Sequence, residues 1–163
     1  MNRGIRGLAV TIVSALCLVA VSAPAAAKGK DPFVGNWQFD AAKSTFNGRT
    51  AYTSAKVSMG AVKGAHKFAG DFTTADGKSM HVEYSGPADG SSLAATGSPT
   101  YDSVSVLMPD KDTLIRTERR GGKVVGITTV TLDKGGKSFT ATSRGTLPDG
   151  HQYTATTVWN RVK

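Results

Sequence analysis

Short runs of alternating hydrophobic and polar residues recur along most of the chain. The clearest runs are residues 55–59, 68–72, 80–84, 104–106 and 139–142. Alternation with a period of two puts one set of side chains on a buried face and the other in solvent, which is typical of half-buried β-strands. The pattern therefore predicts an all-β protein.

Turn signals separate these runs and indicate how the strands are connected. The turn dipeptides are Asp76-Gly77, Asp89-Gly90, Gly121-Gly122, Gly135-Gly136 and Asp149-Gly150. Such pairs tolerate positive φ and suit tight hairpins. Their regular recurrence predicts a single antiparallel up-and-down β-barrel of eight to ten strands, because closure leaves no exposed strand edge. An open sandwich is the alternative.

Two further features qualify this picture. Residues 40–44 predict a short helical turn that Asp40 caps. The positions expected to face the core include several small residues, namely Ala55, Gly70, Ala141 and Ala155. Small inward residues leave space for a ligand cavity, and a narrow barrel filled by side chains is the alternative.

The N-terminal segment has the composition of an export signal. Arg3 and Arg6 precede an apolar run, and small residues end at Ala27. This order predicts a signal peptide over residues 1–27 and a barrel domain over 28–163, exported to the periplasm or beyond, with no stable membrane span after cleavage. The one cysteine, Cys17, lies inside the signal, so we expect the mature chain to have no disulfide and no cysteine-based site.

Charge adds a possible surface role. The formal net charge of +8 falls to +6 without Arg3 and Arg6. The densest basic group after the signal is Arg116, Arg119, Arg120 and Lys123. Such a group either attracts polyanions or keeps a hairpin tip soluble and unable to pair edge to edge.

The two ends of the predicted domain resemble a known superfamily. The opening string contains Gly35-Asn36-Trp37, and the closing string contains Trp159-Asn160-Arg161. They are similar to the first and last strands of the calycins, which include the lipocalins and fatty-acid-binding proteins. The string from Asp31 to Phe46 also resembles exported bacterial proteins described as lipocalin-like. The resemblance implies that Gly35, Trp37 and Arg161 close the barrel, with the guanidinium lying over the indole.

One departure from that superfamily affects the expected ligand. Fatty-acid-binding proteins hold the ligand carboxylate with an Arg-x-Tyr pair on the last strand, where this chain has Thr157 and Trp159. The usual carboxylate clamp is therefore missing. We expect a ligand that is neutral, or one that is held by a different group such as Arg116 or Tyr153.

Catalytic and metal chemistry have little support in the sequence. No serine lies in a nucleophile elbow, and the acidic residues are scattered, mostly in turns. His81 and Glu83 share the face expected to meet solvent and could supply two metal ligands. His151 could in principle add a third, but nothing in the spacing favours this, and a surface pair is the simpler interpretation. His66 is in phase with core residues, either as a satisfied core or rim histidine or as a ligand contact. We therefore expect no catalytic site, no metal and no cofactor.

The functional prediction is an exported, non-enzymatic barrel that binds a small apolar or amphipathic molecule. The candidate ligand-binding residues are Phe68, Phe72, Tyr84, Arg116, Tyr153, Thr157 and Trp159. The alternative is an envelope interaction module that binds a protein, as a protease inhibitor would, or a polyanion through its basic surface. No specific binding of nucleic acid is expected.

Overall fold

A computed structural model describes residues 31–62 and 65–163, which fold as ten β-strands. The strands are β1 (Gly35–Asn47), β2 (Tyr52–Val62), β3 (Ala65–Thr74), β4 (Ser79–Gly86), β5 (Asp89–Thr96), β6 (Ser103–Asp110), β7 (Thr113–Arg120), β8 (Lys123–Leu132), β9 (Ser138–Thr146) and β10 (Gln152–Val162). The predicted signal peptide lies outside the described residues. Within them, no helix is long and apolar enough to cross a membrane.

Each strand pairs in antiparallel fashion with the next, and β1 also pairs with β10 to close the barrel. The predicted up-and-down barrel is therefore confirmed, and it fits the calycin-like fold that the resemblance implies. Because successive strands run in opposite directions, β1 begins and β10 ends at the same end of the barrel, which we call the floor. The opposite end, where β1 ends and β2 begins, is called the mouth.

The alternating pattern determines which side chains fill the barrel. On β2, Ala55, Val57 and Met59 are buried, while Lys56 and Ser58 between them are exposed. The same alternation continues on the other strands and supplies the buried residues of one hydrophobic core. The core is thus the barrel interior, and inward positions are the ones that can contact a ligand.

The predicted helical turn at residues 40–44 is wrong, because β1 runs through this segment. Its pairing with β10 shifts between Asp40, opposite Val158, and Thr45, opposite Thr156, so the extra residues form a bulge. Asp40 still accepts a hydrogen bond from the Lys43 amide at 3.3 Å, as a cap would. The segment stays in the sheet because β10 offers partners on both sides of the bulge.

One predicted turn is also displaced. Asp89 and Gly90 begin β5 instead of forming the hairpin turn, which precedes them at residues 87–88. Pro87 has a fixed φ and no amide hydrogen to give to a ladder, so the chain turns at this point. The β4–β5 pairing is brief, with Glu83 opposite Thr96 and Tyr84 opposite Ala95.

Candidate functional site

The floor is built around Trp37 and Arg161. Trp37 is fully buried, and the Arg161 guanidinium carbon lies 4.1 Å from the centroid of its ring. Arg161 also donates hydrogen bonds of 2.6–2.7 Å to the carbonyls of Pro32, Val34 and Gly136. A planar guanidinium can do both at once, since its face meets the indole while its edge donates. These contacts tie the first described residues to the last strand.

Gly35 is required by this arrangement. Its φ of +149° lies in the region that side chains disfavour, and a Cβ at this position would clash with the Arg161 guanidinium. Two residues later, the indole nitrogen of Trp37 donates to the carbonyl of the fully buried Phe33 at 3.0 Å. The Gly-x-Trp string therefore fits a packed end of the barrel, and Gly35, Trp37 and Arg161 do not border the interior cavity.

A cavity of about 110 Å³ lies inside the barrel. Five of the predicted ligand-binding residues border it: Phe68, Phe72, Arg116, Thr157 and Trp159. The other two are buried beside it, with Tyr84 stacked on Phe68 at 4.8 Å and Tyr153 close to Gly126 and Gly145. The predicted residues thus converge on one region of the interior, although two of them lie behind its wall.

The small inward residues and the aromatic ones together set the size of the cavity. Of the four small core positions predicted to leave space, Ala141 and Ala155 form part of its wall, while Ala55 and Gly70 do not border it. Aromatic rings form another part of the wall, where Phe72 lies 5.1 Å from Tyr52 in a tilted arrangement and 6.3 Å from Trp159 in an edge-to-face arrangement. An apolar cavity of roughly 150 Å³ holds benzene in a well-studied engineered protein, so this space suits about one aromatic ring.

An ion pair lies in the wall of this cavity. Both the Nε and the Nη2 of Arg116 donate to Oε1 of Glu118, at 3.1 and 2.7 Å. Their side chains are only 19% and 6% exposed. Thr128 donates to the same oxygen at 3.4 Å and exchanges a 2.9 Å hydrogen bond with Ser143. The cavity therefore has a polar side in an otherwise largely apolar interior.

The position of Arg116 corrects the predicted basic group. Leu114, Arg116 and Glu118 alternate along β7 and face inward, so Arg116 lies inside the barrel and not beside Arg119 and Arg120 on the surface. Room for the carboxylate comes from Gly126, where a Cβ would lie 2.6 Å from Oε2 of Glu118. The group of four basic residues is thus divided between the interior and the surface.

Burial and charge shift the pKa values of the groups around the ion pair. Burial alone would lower the pKa of Arg116, but the Glu118 carboxylate together with the phenols of Tyr101 and Tyr84 outweighs it and raises that pKa well above its usual range. Burial raises the pKa of Tyr84 and of Tyr101, with Arg116 opposing the shift in both. Burial, with Glu118 adding to it, raises the pKa of Tyr153 to about 12. The phenols of Tyr84, Tyr101 and Tyr153 are therefore neutral at neutral pH.

Two loops frame the cavity at the mouth. The β1–β2 loop supplies Arg49, whose guanidinium lies 5.3 Å from the Tyr52 ring centroid and 4.9 Å from that of Tyr153. The β5–β6 loop supplies four wall residues, from Ser98 to Tyr101. Arg120 donates to the carbonyl of Pro99 in that loop at 2.7 Å. One residue of the predicted basic surface group therefore holds a loop over the cavity.

Sequence reasoning missed several residues that border the cavity. Glu118 could have been found, since it follows Arg116 by two positions on a strand and so shares its inward face. Arg49 and the stretch from Ser98 to Tyr101 had no such signal, because a loop shows no period from which its direction can be read. Their place in the wall depends on how the loops fold across the mouth.

The histidines lie apart from the cavity. His81 is on the outer face, where its Nδ1 is 2.6 Å from Asp71 and its Nε2 is 3.2 Å from Glu83. Hydrogen bonding to Asp71, and then to Glu83, raises the pKa of His81. His66 is buried, with Nδ1 3.4 Å from Asp31 and with no hydrogen-bond partner for Nε2 among the described residues. Residues 31–62 and 65–163 contain no cluster of three or more His, Cys, Asp or Glu residues suited to a metal ion.

Comparison with known proteins gives a distant structural likeness. No family model and no curated protein matches the chain. It is similar to a solved structure of a de novo designed fluorescence-activating β-barrel, with 15% identity and a TM-score of 0.42 over 80% of this chain and 94% of that one. A likeness this distant carries no argument about what this chain binds.

Proposed function

We propose that this protein binds a small apolar or amphipathic molecule inside its barrel. The observation that supports this most directly is the interior cavity of about 110 Å³, which has aromatic walls and a buried ion pair on one side. Ligand pockets generally combine apolar walls with a few placed polar groups that fix orientation. An ion pair in a barrel interior is an expensive way to fill space, since both charges lose water. The Arg116–Glu118 pair would orient a bound ligand by hydrogen bonding to it.

The class and setting of the protein belong to the same proposal. Gly35, Trp37 and Arg161 support membership of the calycin superfamily, through the floor contacts that the resemblance implied. We place the protein outside the cytoplasm because residues 1–27 have the composition of a cleaved signal. Binding without catalysis is the proposed activity. Mass spectrometry of the exported protein should give a chain that begins at Lys28.

Filling the cavity is the direct test of binding in the interior. Mature protein would be incubated with an extract of lipids and small metabolites, repurified, and its bound molecules identified by mass spectrometry. Ala141→Leu adds a branched side chain at the cavity wall and should abolish co-purification. Thr142→Leu adds a leucine at the next residue, which is exposed on the outer face, and should leave it unchanged. Equal retention by both variants, or none by the wild type, would refute interior binding.

The alternative is an envelope module that binds a protein or polyanion. The structure weakens the support for it, because the basic group on which it was based does not form one surface cluster. Arg116 lies inside the barrel, while Arg119 donates to Ser105 at 3.0 Å and Arg120 to Pro99. The remaining argument is the net positive charge. Retention on heparin that survives moderate salt, and falls in the Arg119→Ala/Arg120→Ala variant, would favour this alternative.

A further inference from the structure

We propose that the ligand is a small, neutral aromatic molecule that carries both a hydrogen-bond donor and an acceptor, as a carboxamide does. The inference rests on the proposed function and specifies its ligand class. It is carried by the Arg116–Glu118 pair in the wall of the cavity, where a cation and an anion lie side by side. A site with both signs of charge selects against ligands that bring a net charge of their own.

Arg116 already has a charged partner inside the barrel. An anionic ligand could bind Arg116 only beside the Glu118 carboxylate, 2.7 Å away, or by displacing it. The first arrangement sets two anions together, and the second leaves a carboxylate that is 6% exposed without its cation. Each is strongly unfavourable in a poorly solvated interior. A cationic ligand meets the same difficulty with Arg116 and with Arg49, which also borders the cavity, so a neutral ligand is favoured beside the ion pair.

The hydrogen-bonding capacity of the pair gives the second requirement. Both hydrogen bonds from Arg116 end on Oε1 of Glu118. Oε2 accepts no hydrogen bond from the residues that the structure describes, and it lies against Gly126, where a Cβ would be 2.6 Å from Oε2 and 2.9 Å from the Tyr153 hydroxyl. A guanidinium has five N–H groups, so Arg116 retains donors beyond the two used on Glu118 and the one used on Tyr84. A ligand with one donor and one acceptor can therefore bond to both members of the pair and leave the salt bridge intact.

Size and shape give the third requirement. The cavity of about 110 Å³ accommodates about one ring, and its walls include Phe68, Tyr101 and Trp159. The Arg116 guanidinium lies 5.8 Å from the Phe68 centroid and 6.0 Å from that of Tyr101. Polar and aromatic surfaces are thus adjacent, as a ring with a directly attached polar group requires. Benzamide has this form and is the natural probe.

Four probes of similar shape separate the requirements. Binding of benzamide, benzoate, benzylamine and toluene would be measured by heteronuclear NMR titration of the mature protein. We expect benzamide to bind at least about tenfold more tightly than each of the others, the factor that one charge-assisted hydrogen bond supplies. Arg119→Met changes an arginine on the same strand that lies outside the cavity, and it should preserve this order.

Glu118→Gln tests the role of the carboxylate. Without the anion, Arg116 is free to bind an acid, so benzoate should become the preferred probe. If this variant fails to fold, Arg116→Met/Glu118→Leu replaces both charges with apolar groups and should make toluene bind at least as well as benzamide. Unchanged preferences in the variant that folds would overturn the proposal.

The outcomes separate this inference from the function on which it rests. Benzoate or benzylamine binding most tightly to the wild type, with shifts at cavity residues, would refute the neutral ligand class and support interior binding. Failure of all four probes, together with failure of the Ala141→Leu comparison, would refute both. Benzamide preferred by the wild type, with the preference reversed in Glu118→Gln, supports the inference.

Discussion

Two arginines inside this barrel illustrate how one residue type can serve two purposes. At the floor, Arg161 lies over Trp37 and donates to three backbone carbonyls, so its neighbours are uncharged. In the interior, Arg116 is paired with Glu118 at the wall of a cavity. The first arrangement consumes the arginine's donors in holding chain segments together. The second keeps a polar surface next to empty space.

The difference lies in what the surrounding structure gains from each cation. Backbone carbonyl groups near the ends of strands need hydrogen-bond donors, and Arg161 supplies donors to three carbonyls that would otherwise lack them. The fold does not require the Arg116–Glu118 pair in the same way, because apolar residues at both positions would avoid the desolvation of two charges. We infer that the floor is maintained for stability, and that the interior pair is maintained for recognition. Each prediction below tests one side of this comparison.

The largest expected effect is on the floor. Trp37→Ala should lower the free energy of unfolding by about 3–5 kcal/mol, the usual result of truncating a fully buried aromatic residue. Urea denaturation followed by circular dichroism would measure it. Val162→Ala is the control at the same end of the barrel, where the side chain is 44% exposed and little change is expected. A Trp37 variant with wild-type stability and lost binding would make the floor a recognition site.

A smaller effect distinguishes the interior pair. Arg116→Met should destabilise by about 3 kcal/mol, because it leaves Glu118 buried without its cation. Arg116→Met/Glu118→Leu removes both charges and should return to within about 1 kcal/mol of the wild type, or exceed it. The same denaturation experiment measures both. A double variant as unstable as the single one would mean that the pair is maintained for stability, as the floor is.

The smallest predicted effect is a dependence of stability on alkaline pH. Burial raises the pKa of Tyr153 to about 12, while an unfolded tyrosine titrates near its ordinary value of about 10. The contribution of Tyr153 to the free energy of unfolding is fully present below about pH 10. It is lost as the pH rises toward about 12, because the unfolded chain loses the phenol proton at a lower pH than the folded protein does.

Tyr153→Phe should therefore flatten the decline of stability between pH 10 and about 12. Denaturation midpoints measured across this interval would show it. Tyr84 and Tyr101, whose pKa values are also raised, should keep a residual slope in the variant. An identical slope in wild type and variant would mean that Tyr153 titrates as an exposed phenol does.

The sequence was sufficient for the fold because the barrel depends on repeated local signals. Alternation identified the strands, and glycine pairs such as Gly121-Gly122 identified turns. The errors fall where the local signal competes with strand pairing. The segment after Asp40 has a capping residue and helix-tolerant neighbours, yet β10 holds it in the sheet through a bulge.

The site was less predictable, for a physical reason. Phe68, Thr157 and Trp159 could be placed inside from their phase along strands, and they border the cavity. Arg116 belongs both to the predicted basic surface group and to the predicted ligand contacts, because its charge is compatible with solvent and with a polar ligand. The loop from Ser98 to Tyr101 has no phase, so its contact with the cavity depends on three-dimensional packing.

The central claim is that recognition occurs in the interior and not at the floor. It is tested most directly by a heteronuclear NMR titration with benzamide that reports on both regions at once. We expect saturable shifts for the amides of Ala141, Ala155 and Thr157, with those of Gly35 and Trp37 unmoved. Shifts centred on Gly35 and Trp37, or confined to the outer face of the barrel, would contradict it.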